Sequence, residues 1–70
     1  MKIYGYKDEN SELMSIQEVT LQVDIDELKE FSLFIIHVIG LMEKNGDDFG
    51  HEHLSDFIAT GIGAEIIISR

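Results

Sequence analysis

One stretch limits the fold more than any other: residues 24–46, DIDELKEFSLFIIHVIGLMEKNG. It is the only long segment with helical periodicity, so the rest of the chain must pack on it or beside it. Asp24 is a good N-cap, and Glu27 three residues later completes a capping-box pattern. Asp26, Glu27 and Glu30 place negative charge near the positive end of the helix dipole. Lys44 lies near the other end, and Asn45-Gly46 stops the helix, with Gly46 suited to a left-handed C-cap.

The spacing of Leu28, Phe31, Ile35, Val38, Ile39 and Met42 predicts the stripe that faces the core. At 100° per residue, a second apolar flank of Leu33, Phe34 and Leu41 lies beside it, interrupted by His37 and Gly40. A two-layer domain needs one buried stripe per helix. The second flank (Leu33, Phe34, His37, Gly40, Leu41) is therefore expected to be a homodimer face, or else to cover a sheet edge within the chain. Gly40 costs about 1 kcal/mol relative to alanine in a helix, and close approach of a second backbone is a motive for it.

Around this helix the pieces read as strands. Lys2–Tyr6 combines aromatic and β-branched residues, followed by the polar turn KDENSE at 7–12. A second strand is expected over Leu13–Val23. Its apolar parity switches at Gln17-Glu18, from Met14 and Ile16 to Val19, Leu21 and Val23, which predicts a bulge or bend. After the helix, His51–Leu54 is a short third strand and 56–63 a glycine-containing loop. The β-branched run Ala64–Arg70 is a last strand, with Ile66-Ile67-Ile68 suited to a central position buried on both faces. The expected architecture is α+β: a single domain, residues 1–70, in a two-layer ββαββ arrangement. One long helix lies on one face of a four-stranded, mostly antiparallel sheet.

At 70 residues, a chain buries only about 60% of its unfolded surface. It has no cysteine, so neither disulfides nor thiolate metal sites can reinforce it. The absence of disulfides leans towards the cytoplasm. Residues 1–6 have no apolar run of the kind a signal peptide needs, and Leu33–Ile36 is far shorter than the ~20 residues that span a bilayer.

Fourteen acidic against five basic side chains give a net charge of −9. That argues against direct binding to nucleic acid or an anionic membrane, which needs a basic patch. It suits a protein partner with a basic surface, and it also suits plain solubility.

The chemistry-bearing residues gather after the helix, in Asp47, Asp48, Phe49, His51, Glu52, His53 and Asp56. In a strand, His51 and His53 share one face and Glu52 takes the other. Two imidazoles so placed can bind a divalent ion, with Asp47, Asp48 or Asp56 adding oxygens, but only two ligands are fixed by spacing. Hydrogen-bonding or partner-facing roles suit them better. His37, on the helix, lacks a neighbouring ligand. The serines lack a nucleophile-elbow context, and Gly61-Ile62-Gly63 lacks the lysine and following helix of a phosphate loop. The reading is non-enzymatic, with no cofactor.

The segments Lys2–Tyr6, Glu18–Leu21, Asp26–Leu28 and Met42–Gly46, with Phe49–Asp56 (FGHEHLSD), together resemble small immunity proteins of bacterial polymorphic toxin systems. The resemblance implies a cytoplasmic protein that binds and blocks a toxin domain, with His51, His53 and Asp56 at the matching positions. A nuclease-like toxin with a basic cleft would meet Asp47, Asp48, Glu52 and Asp56, with Phe49 as an apolar anchor. Two alternatives stand beside it: a metal-binding protein using His51 and His53, and a homodimeric structural or regulatory subunit.

Overall fold

In the computed structural model, which describes residues 1–58 and 63–70, the elements run in chain order as follows. β1 is Tyr4–Gly5, β2 is Met14–Ser15 and α1 is Ile25–Asn45. A 3-10 turn, Gly46–Asp48, leads to β3 (His51–His53), the one-turn helix α2 (Leu54–Phe57) and β4 (Ile67–Ser69). The class is α+β with one long helix, as expected. The sheet differs from expectation: β1 pairs only with β2, and β3 only with β4, both antiparallel, so there are two separate two-stranded sheets instead of one sheet of four strands.

The capping box forms as its sequence predicts. The Glu27 amide donates to Asp24 Oδ1 at 2.8 Å, and the Asp24 amide donates to Glu27 Oε1 at 3.1 Å. At the other end, Gly46 adopts φ 55°, ψ −126°, a conformation that side chains resist, and its amide donates to the Met42 carbonyl. This turn swings the chain back along the helix. Phe49, three residues on, then lies against the face that α1 buries.

That face is not the expected stripe. The buried residues are Phe34 and Val38 of α1 with Phe49, Leu54 and Ile58; Phe31, Leu41, Met42, Ile66 and Ile68 pack partly buried around them. Leu28, Ile35 and Ile39, expected inside, are exposed, while Phe34, expected on a dimer face, is wholly buried. The helix is rotated about its axis relative to the sequence reading. Both flanks are apolar, so periodicity alone cannot choose between them. Ring area can, because a phenylalanine buries more surface than an isoleucine and gains from ring–ring geometry. Phe34 lies 6.4 Å from Phe31 and 5.7 Å from Phe57, centroid to centroid, both tilted.

The expected strand Leu13–Val23 shrinks to two residues. Pairing ends where the parity switches: the Ile16 amide still donates to the Ile3 carbonyl at 2.8 Å, and the chain bends at Gln17. Beyond it, residues 18–24 carry no regular structure, and Val19, Leu21 and Val23 are exposed. The β1–β2 hairpin holds its own turn together. The Ser11 hydroxyl accepts from the amides of Lys7 and Asp8 at 2.9 and 3.0 Å and donates to the Asp8 carbonyl at 2.9 Å. Ile16 fills the space over Gly5, where a Cβ would collide with its Cδ1 atom. Among the described residues, none before Ile25 joins the buried core.

The isoleucine run is also corrected. β4 has one neighbour, with Ile67 exposed and Ile66 and Ile68 half-buried, so it is an outer strand of a hairpin and not the centre of a sheet. Leu54–Phe57 is helical where a strand end and loop were expected, and residues 59–62 of that loop lie outside the described residues. Among the described residues no helix is long and apolar enough to cross a membrane.

Candidate functional site

The segment after α1 does form one structural unit, but it divides its residues between inside and outside. Phe49, expected as an apolar anchor for a partner, is instead buried in the core, because the Gly46 turn aims it back at Phe34 and Val38. Asp47, Asp48, His51 and Asp56 are exposed; Glu52 and His53 are half-buried. Asp47 and Asp48 belong to the 3-10 turn and Asp56 to α2, so the acids flank β3 from its two ends. Glu52 points to the face of β3 opposite the histidines and stands across from Ile68.

His51 and His53 share one face of β3, as their spacing predicts. Their rings lie 5.1 Å apart, edge to face. His53 Nδ1 stands 3.6 Å from Glu65 Oε2. Glu65 is a residue the sequence reading passed over, and it organises this corner. Its carboxylate accepts from the Ser55 hydroxyl, from the Ser55 amide at 3.1 Å and from the Ile66 amide at 3.1 Å. The Ser55 hydroxyl bond, then the Ser55 amide, hold the Glu65 carboxyl below its ordinary value of 4.5, against the opposing effect of desolvation. No periodicity or motif marks Glu65 in the sequence, since its partner Ser55 is ten residues away.

Serine, histidine and carboxylate meeting at one point invites comparison with a nucleophilic triad, and the order of contacts decides against it. In a triad the histidine stands between hydroxyl and carboxylate and takes the hydroxyl proton. Here the carboxylate stands between, and Ser55 donates directly to it. The Ser55 hydroxyl and His53 Nδ1 approach the same carboxylate oxygen, Glu65 Oε2, and the hydroxyl gives its proton to that oxygen. The arrangement is a clamp that fastens the first turn of α2 to the strand leading into β4, where the Leu54 amide also donates to the Ile66 carbonyl at 2.8 Å.

For a metal, among the described residues no three histidine or carboxylate side chains converge. His51 and His53 are two candidate ligands, and Asp47, Asp48 and Asp56 do not close a set around them.

The expected dimer flank is dispersed. Phe34 and Leu41 enter the core, and His37 stacks on Phe57 of its own chain at 5.1 Å and 27°. Leu33, His37 and Gly40 remain exposed, and a Cβ at Gly40 would meet nothing within 4 Å.

Arg70 ties the end of the chain to the α1 terminus. Its Nη1 donates to the Gly46 carbonyl at 3.0 Å, and its Nη2 lies 3.2 Å from Asp47 Oδ1. This is the single Lys or Arg to carboxylate pair among the described residues.

No protein-family profile, curated protein or solved structure matches this chain.

Proposed function

We propose that this chain is a non-enzymatic protein-binding module for a partner with a basic surface, of the inhibitory kind that immunity proteins represent. The observation that carries the reading is unneutralised acidity. Of fourteen acidic side chains, one pairs with an arginine, at an exposed site where such a pair contributes little. The remaining negative field faces solvent. Such a field speeds encounter with a cationic surface and selects against anionic ones. Asp48 and Asp56, with Asp47, form the acidic rim beside His51 and His53. Phe49 is withdrawn from this surface, so the contact is polar and its strength is set mainly by charge.

The test is a titration of the purified product of the adjacent gene into this protein by calorimetry, at 50 and 500 mM salt. Nanomolar binding at low salt that weakens at high salt is the expected result. No heat at 50 mM salt would end the reading. Asp48→Asn/Asp56→Asn should slow association with little change in dissociation rate.

The shared face of His51 and His53 supports a second reading, a divalent-ion site. It predicts stoichiometric zinc uptake and a rise in Tm with zinc. An unchanged Tm, in the parent and in His51→Ala/His53→Ala alike, disposes of it.

A further inference from the structure

We propose that a second copy of this chain seats on the outer face of α1, helix against helix. The rotation of α1 leaves Ile25, Leu28, Ser32, Ile35 and Ile39 pointing away from the core, and all five are exposed. Their spacing is 3, 4, 3, 4. That is the interval at which two helices interlock knobs into holes over several turns. Continued by 3 it reaches Met42, which is half-buried against the chain's own core and closes the strip. The strip spans about 21 Å along the helix at 1.5 Å per residue, and Ile36 widens it on one side.

Three observations choose the occupant. The first is area. The accessible surface is 6139 Å², whereas a compact chain of 8.0 kDa exposes roughly 4,450 Å². The excess of about 1,700 Å² is spread over the whole chain, and the strip carries a share of it, with Ile25, Leu28, Ile36 and Ile39 each at least half exposed. The second is charge. On a chain of net charge −9, the strip from Ile25 to Ile39 contains no ionisable side chain. Its only polar member, Ser32, donates its hydroxyl to the Lys29 carbonyl and asks nothing of a partner. A basic partner has no acid to meet along the strip, whereas an identical apolar strip matches it across a two-fold axis. The third is continuity. The strip runs into a mostly apolar groove of about 210 Å³ formed by Thr20–Val23 and Glu27 against Leu28, Phe31 and Leu54. There the exposed Leu21 and Val23 extend the same surface.

This contact is independent of the acidic rim, and salt separates the two. Screening weakens attraction to a basic partner but relieves repulsion between two copies of charge −9. Sedimentation equilibrium of the intact chain at micromolar concentration, in 50 and 500 mM salt, tests it. The expected mass is twice 8.0 kDa, with tighter association at the higher salt. Leu28→Glu and Ile35→Glu, each at an exposed position, should each give a monomer with unchanged helical circular dichroism. Leu33→Glu, exposed on the opposite flank, should leave the dimer intact. A monomer at every concentration and salt overturns the proposal, as does a dimer that survives both strip substitutions or is broken by Leu33→Glu alone.

Discussion

Single residues settle the two corners of this molecule. Gly46 turns the chain with a positive φ that alanine reaches only under strain. Gly46→Ala should destabilise by about 1–3 kcal/mol, read as a lower urea midpoint, although the space around it is open. Glu65 fixes the other corner, and its hydrogen bonds make it pH-sensitive. The folded carboxyl ionises at lower pH than the unfolded one, so its contribution is full above pH 4.5 and is lost as pH falls through the lowered value. The urea midpoint should therefore drop between pH 7 and pH 3, and Glu65→Gln should show a smaller drop. An identical pH profile in the variant would mean that the Ser55 clamp contributes nothing. Glu65 itself could not be found from the sequence, because its partner Ser55 is ten residues away and no local spacing links them.

At the scale of elements, α1 was legible in its existence, its ends and its capping box, because those depend on residues within one turn of each other; at Gly46 φ is positive, but ψ −126° lies outside the left-handed helical region expected of the C-cap. Asp24→Ala should cost about 1 kcal/mol, measured by thermal unfolding. Which face of α1 is buried was not legible. Two apolar flanks compete on one helix, and the winner depends on Phe49 and Phe57 arriving from beyond Gly46, which is tertiary information. The consequence is sharp at neighbouring positions. Phe34→Ala should cost roughly 3–5 kcal/mol, most of the few kcal/mol expected for a domain this small, while Leu33→Ala should change stability by less than about 0.5 kcal/mol. Denaturant titration of the two variants checks the rotation directly. The strands show the same division. The antiparallel pairing of β1 with β2 follows from the turn between them. The merging of four strands into one sheet was an inference from fold-class habit, and nothing in the residues enforces it. Asp47, Asp48, His51 and Asp56 lie at the surface, where charge and imidazole meet water. Phe49 was expected there on the strength of its neighbours, and its own hydrophobicity took it inside.

For the whole molecule, protection should follow the core. Amides of α1 around Phe34 and Val38 should exchange slowest, and those of residues 17–23, which make no backbone hydrogen bond to another segment among the described residues, should exchange much faster. Association through the strip on α1 would slow exchange at Leu28 and Ile35 only modestly, since helical amides are already bonded, whereas it would protect their side chains from surface labelling.

The core begins at Phe31 and ends at Ile68, and the hairpin of residues 4–15 lies outside it. The hairpin is therefore under little selection from folding. Its loop and strands can be exchanged for others, in a laboratory or by drift, with the remaining domain indifferent to the change. Asp24 and the residues after it act as the chassis, and the hairpin of residues 4–15 is where such a chain has room to diversify.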